Sequence, residues 1–176
     1  MKTGYDHITL QRIEKAHPAV RAELECLYWA ICAVLKGRAI IRFARVFSTW
    51  EEQALIYAQG RTKPGKIVTY APAGKSYHNY GLAVDIVLLV DRNGDGTFES
   101  ASWETNVDFD GDGEADWMEV VDLFKHYGWE WGGDWGGKKK DRPHFQKTFG
   151  LKISQLLELH NQKKFIPGTK YVKIKQ

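Results

Sequence analysis

Cysteine is scarce. The two present in 176 residues, Cys26 and Cys32, lie six apart in one helix-patterned segment, on different faces, so a disulfide-framework scaffold is excluded. Long apolar runs are missing as well. The longest near the N-terminus, residues 27–35, is about half the ~20 residues a bilayer-spanning helix needs. It follows Arg21, Glu23 and Glu25 rather than a basic leader, so neither a transmembrane helix nor a signal peptide is expected. Charge of one sign is also lacking: 25 Lys plus Arg against 22 Asp plus Glu leave +3. The basic residues are scattered apart from one short run at 138–142, which falls short of the footprint of a nucleic-acid groove. What remains is 43% hydrophobic and 27% charged, the balance of a folded soluble chain, with seven Trp to build a core or a cleft. The length suits a single domain, 1–176.

Periodicity divides the chain into helices and strands. Pro18, with Val20, Leu24, Leu27, Ile31 and Val34 at spacings of three and four, predicts an amphipathic helix ending at Gly37. Residues 40–47 are rich in Ile, Val and Phe and predict a strand. Thr49 and Glu52 then have capping-box spacing for a helix that stops at Gly60. Residues 61–77 hold two Pro and two Gly without periodicity and predict a long ordered loop, a kind that is usually functional. Residues 82–90, LAVDIVLLV, predict a central strand buried on both faces. A helix over 117–127, a short strand near 144–147, a helix from Ser154 to Gln162 and an edge strand at 171–175 complete an α+β fold, a small antiparallel sheet packed with helices.

Asp85 interrupts the central strand. A carboxylate there costs about several kcal/mol unless something positive lies beside it. A salt bridge to Arg42 or Arg45 would serve; so would a metal ion. His78 stands seven residues upstream and His144 lies far away in RPHFQ. Two imidazoles and a carboxylate are a normal three-ligand set for catalytic zinc, with the fourth position left to water. Spacing alone leaves both readings open.

The pattern S-x-H-x-x-G-x-A-x-D, in Ser76, His78, Gly81, Ala83 and Asp85, is followed by D-x-P-H in Asp141, Pro143 and His144. This combination resembles the peptidoglycan-cleaving zinc peptidases of the D-alanyl-D-alanine carboxypeptidase and L-alanyl-D-glutamate endopeptidase family, over roughly residues 38–150. The resemblance implies a sheet carrying zinc on His78, Asp85 and His144, with Asp141 as general acid/base and bacterial peptidoglycan as partner. Within the family, the short chain without an export signal points to an L-alanyl-D-glutamate endopeptidase of the phage-endolysin kind. Such a protein is expected to act as a monomer, made in the cytoplasm and released to the wall by a separate route. The alternatives are a D-alanyl-D-alanine carboxypeptidase and a non-catalytic metal-containing wall-binding protein. Asp134 rivals Asp141 as the base, although its expected role is to order a Gly-rich turn. One position departs from the family: relatives carry an Arg where this chain has Ser48, and Arg45 or Arg61 would have to substitute. Ser76 and Trp135 are further candidates on the substrate side. Tyr80, Trp129 and Trp131 either line a cleft or fill the core.

A second constellation is independent of the first. Asp108, Asp110, Asp112, Gly113, Asp116 and Glu119 occupy positions 1, 3, 5, 6, 9 and 12 of an EF-hand-type calcium loop, and a helix follows directly. Calcium or a solvated acidic turn would explain it, and Ala115 at position 8 departs from the pattern. Asp91, Asn93, Asp95 and Gly96 begin in the same way but reach Ser102 at position 12, and read as an ordinary turn.

Overall fold

Most of these patterns become elements near their expected bounds in a computed structural model that describes residues 5–175, the side chain of Lys138 excepted. In chain order they are α1 (His7–Ile13), α2 (Pro18–Val34), β1 (Ala39–Arg45), α3 (Trp50–Ala58), a 3-10 turn at Tyr77–Tyr80, β2 (Ala83–Val90), β3 (Ser100–Ser102), α4 (Asp116–His126), β4 (Glu130–Trp131), β5 (His144–Gln146) and α5 (Ile153–Asn161). Pro18 takes the first turn of α2, and Val20, Leu24, Leu27 and Ile31 are buried along one stripe. The Thr49–Glu52 capping box opens α3 as expected. No helix among the described residues is long and apolar enough to cross a membrane, and both cysteines are free.

The sheet is antiparallel and runs β1-β2-β5-β4. Strand β2 pairs with β1 over residues 85–90, and on its other edge with β5 over residues 83–85 and with β3 over residues 88–90. Having partners on both sides, it is the central strand its apolar run predicts. Alternation then sorts its side chains: Val84, Ile86, Leu88 and Val90 join Ile41 and Phe43 of β1, Leu24 and Ile31 of α2 and Trp117 and Phe124 of α4 in one core. Asp85 falls on the opposite face.

Helix α1 is absent from the sequence reading because seven residues offer too few turns for a periodic signal. It is fixed by Asp6, only 5% exposed, whose carboxylate accepts the Thr9 amide at 3.0 Å, the Thr9 hydroxyl at 2.7 Å and the Arg42 guanidinium at 3.1 and 2.8 Å. Burial works to raise the Asp6 carboxyl, but Arg42 and Thr9 outweigh it and hold it below the ordinary 3.8. Its stabilisation is therefore complete above that value and is lost as the pH falls through the lower folded one. Asp6→Asn is expected to cost about 2–4 kcal/mol at pH 7, and the deficit should shrink as the pH falls through the lowered folded value, as denaturant titration at neutral pH and along an acid series would measure.

Two expectations at the C-terminus are corrected. Ser154 lies inside α5 rather than capping it; the N-cap is Lys152, whose amide donates to the Gln155 side chain at 2.8 Å. Residues 171–175 do not add an edge strand to the sheet. The bonds from Ile166 N to Tyr171 O and Lys173 N to Lys164 O fold that segment onto residues 164–166, with a bridge between Phe165 and Val172. His17 Nε2 donates to the Val172 carbonyl at 2.8 Å, so backbone groups there are already satisfied away from the sheet.

Candidate metal centre

The register of three strands builds the site. β1 and β2 pair in phase from Ala39–Val90 to Phe43–Ile86, then a bulge skips Ala44, so that Arg45 and not Ala44 lies opposite Asp85. Bulges re-aim side chains, and this one turns Arg45 onto the face that Asp85 uses. On the other edge Asp85 is the partner of His144. Arg45, Asp85 and His144 thus form a row across the sheet on the face away from the helical core.

His78 arrives from the 3-10 turn. The Ser76 hydroxyl accepts the His78 amide at 3.3 Å, and the Ser48 amide donates to the His78 carbonyl at 3.1 Å. The Asn79 side chain bonds Gly74 N and Ser48 O and ties the turn to the start of α3. Gly81 ends the turn at φ +68°, with the His17 amide so close that a Cβ would sit 2.6 Å from it. The glycine of the motif is required by both conformation and space.

Hydrogen bonding fixes both tautomers. The Nδ1–H of His78 donates to the Val46 carbonyl at 3.2 Å, so its Nε2 carries a lone pair, and this atom lies 3.0 Å from Asp85 Oδ1. Gln146 donates its amide to Glu130 Oε2 at 2.8 Å and so turns its own oxygen toward His144 Nε2 at 3.1 Å. His144 must donate there, and its Nδ1, also a lone pair in the neutral ring, lies 3.0 Å from the same Asp85 oxygen. Two ring nitrogens and a carboxylate oxygen meet at one point, an arrangement that a shared proton or a metal ion between them satisfies. The three ligand atoms lie within 4.8 Å of one another, and the donor set of two nitrogens and one oxygen fits a divalent metal. Without a metal, burial works to raise the Asp85 carboxyl, yet ring protons on the two imidazoles hold it well below the usual range, and the Asp85 carboxylate raises His144 against its burial. His78 is pushed down by burial against the pull of Asp85. Asp85 keeps a quarter of its side chain exposed, so the centre opens to solvent.

The salt-bridge reading of Asp85 is only half met. Arg42 is engaged by Asp6, while Arg45 Nε stands 3.8 Å from Asp85 Oδ2, without a hydrogen-bond partner among the described residues. Arg45 Nη2 donates to Gln53 at 3.2 Å, which leaves the guanidinium beside the centre with donor capacity to spare. Arg61 lies over the Tyr57 ring at 3.9 Å and bonds its carbonyl, away from this row.

Asp141 precedes β5, anchored by its amide to Gly132 O at 2.9 Å and by its carbonyl to His144 N at 3.2 Å. A Cβ on Gly132 would collide with that carbonyl, so the Gly-rich turn is what lets the Asp141 segment pack down. Partial burial, then the charge of Asp85, push the Asp141 carboxyl up, and His144, His78 and Arg45 act on it in the other sense. Its carboxyl therefore feels each charged member of the centre. Asp134 instead pairs with Lys125 at 2.7 Å on the surface. Trp135 borders His144, ring centres 5.2 Å apart, whereas Trp129 and Tyr80 are buried and belong to the core. Trp131 donates to the Arg142 carbonyl at 2.7 Å and props the D-x-P-H segment.

Gln146 escaped the sequence reading. The signal was there: it stands two residues after His144 on a strand and hence on the same face. Its role is to hold the His144 tautomer, and Gln146→Leu is expected to weaken metal affinity about 10–100-fold, as chelator competition would measure.

A sheet that brings two metal-ready imidazoles to one carboxylate, with a second carboxyl beside them, defines a metallohydrolase-type centre. The profile of the D-alanyl-D-alanine carboxypeptidase family matches residues 69–147, which contain the whole centre apart from Arg45. The peptidoglycan L-alanyl-D-glutamate endopeptidase CwlK of Bacillus subtilis (strain 168) is 44% identical over 130 residues, 74% of this chain and 72% of that protein. The crystal structure of the Serratia marcescens L-Ala D-Glu endopeptidase ChiX shares the fold, with a TM-score of 0.51 at 20% identity over 82% of this chain and 90% of that one. The chain belongs to the D-alanyl-D-alanine carboxypeptidase and L-alanyl-D-glutamate endopeptidase family of peptidoglycan peptidases.

Proposed function

We propose that this chain is a zinc-dependent peptidase of bacterial peptidoglycan that hydrolyses the L-alanyl-D-glutamyl bond of the stem peptide. The observation that carries the reading is the convergence of His78 Nε2 and His144 Nδ1 on Asp85 Oδ1, in a chain 44% identical to CwlK. His78, Asp85 and His144 would hold the zinc. Zinc, when bound, supplies a Lewis acid that polarises a peptide carbonyl and acidifies water at neutral pH.

The chain's own residues supply the rest. Asp141, with its raised carboxyl beside the centre, takes a proton from the attacking water and delivers it to the leaving amine. Arg45 uses its spare donors on the oxygen that gains charge, in place of the arginine that Ser48 replaces. A groove of about 510 Å³ runs past Arg45 and Ser48, with Arg12 and Lys15 on its walls, and suits the carboxylates of a stem peptide. Trp135 forms a wall at His144.

Mass spectrometry of fragments released from purified peptidoglycan tests the reading. New amino termini on D-glutamate, lost on chelation and regained with zinc, are the expected result. Release of free D-alanine would make the chain a carboxypeptidase instead. Binding of the wall without any cleavage would leave it a non-catalytic relative.

A further inference from the structure

We propose that the acidic loop ahead of α4 binds one calcium ion through Asp108, Asp110, Asp112, Asp116 and Glu119, a second metal site separate from the peptidase centre. The oxygens of Asp108, Asp110 and Asp112 already lie within 4.8 Å of one another. Clustered carboxylates alone do not make a site, and the decisive observation is burial without a partner. Of the six solvent-shielded side-chain polar atoms that lack a hydrogen-bond partner among the described residues, three belong to this loop: Asp110 Oδ2, Asp116 Oδ1 and Glu119 Oε2. Buried polar groups in folded proteins are almost always satisfied, so three orphan oxygens of one charge sign point to a cation.

Asp116 is the strongest of the three. It is completely buried, and its other oxygen takes the Phe109 amide at 2.6 Å. That bond turns the carboxylate back across the loop, where burial and then the charges of Asp110 and Asp108 push it up. Glu119, one turn further along α4, is driven up to about 7 by burial and by Asp112, Asp110 and Asp116. Each keeps one oxygen that meets like charges and has no hydrogen-bond donor among the described residues. Lys36 does reach Asp112 from the end of α2, but it is half exposed, and one ammonium cannot balance five carboxylates.

The neighbouring loop provides an internal comparison. Asp91 starts the same sequence pattern, yet its carboxylate takes the amides of Gly94, Asp95 and Gly96. Backbone donors satisfy it, position 12 is Ser102, and none of the orphan oxygens belongs to it. Ligand chemistry selects the ion in the Asp108–Glu119 loop: all donors are hard oxygens, numerous and flexibly spaced, which favours calcium over zinc and over the stricter octahedron of magnesium. The site would also brace the peptidase centre, because Glu119 lies on α4 and Phe124 of the same helix stacks on Phe145, the neighbour of His144, at 4.1 Å.

The test is calorimetric titration of chelator-treated, zinc-restored protein with calcium chloride, alongside magnesium chloride. One calcium per chain with a Kd of about 10⁻⁵ to 10⁻³ M is expected, with much weaker magnesium binding. At a hundredfold excess over Kd the melting temperature should rise by about 5–10 °C. Glu119→Gln removes a repelled carboxylate, so without calcium it should melt at or above the wild type, and the calcium-dependent rise should vanish. Asp110→Asn should show the same pattern. Absence of binding up to about 10 mM calcium, an equal response to magnesium, or an undiminished rise in both variants would overturn the site.

Discussion

Replacing His78 with alanine is expected to remove zinc and peptidoglycan cleavage together. The imidazole is 2% exposed and its tautomer is fixed by the Val46 carbonyl, so its lone pair has no other use than the cation beside Asp85. Without it one imidazole and one carboxylate remain, too few for a tight zinc site. Loss of a Lewis acid worth several kcal/mol in the transition state should cut turnover by more than about 10³-fold. Elemental analysis of the purified variant, with fragment release assayed in parallel, checks both halves. One zinc per chain in His78→Ala would show that the ion sits elsewhere.

A separation of the two effects is expected at Asp141. Asp141→Asn keeps the shape of the side chain, and the bonds that seat this residue come from its backbone to Gly132 and His144, so fold and zinc content should be unchanged. An amide cannot accept the proton, and turnover should fall at least ~100-fold, the lower end of what general acid–base catalysis contributes. Asp134→Asn is the matched comparison. It breaks only an exposed pair with Lys125, and such pairs are worth about 0–1 kcal/mol. Full activity in Asp141→Asn with loss in Asp134→Asn would transfer the role of base to Asp134.

The sequence was most informative where one residue contradicts its surroundings. Asp85 in an apolar strand called for a positive neighbour, the resemblance to the zinc peptidases implied that His78 and His144 share a metal with it, and the structure brings those three side chains together. The long elements were legible for a simpler reason: α2 buries a stripe with helical period, and β2, mostly buried on both faces, is a nearly unbroken apolar run. Of the short strands, β5 was expected near its place and two others were not. Strands β3 and β4, of three and two residues, are held by neighbours distant in the chain, and no local pattern encodes them. The bulge at Ala44 was equally hidden, although it decides that Arg45 rather than Arg42 meets Asp85. That choice is made by pairing with β2, and Arg42 was taken up by Asp6 in a helix too short to foresee.

The row of Arg45, Asp85 and His144 also has a bearing on timing. Its members become neighbours only through strand register, across 40 residues on one side and 59 on the other. Contacts of such range form late, after local helices. A chain with α2 and α3 complete still has no peptidase centre, and the three-ligand set is not assembled until β5 pairs with β2. Metal that binds only the docked form draws that last strand into place by mass action. The three-ligand set is thus completed in one step, with the closing of the sheet.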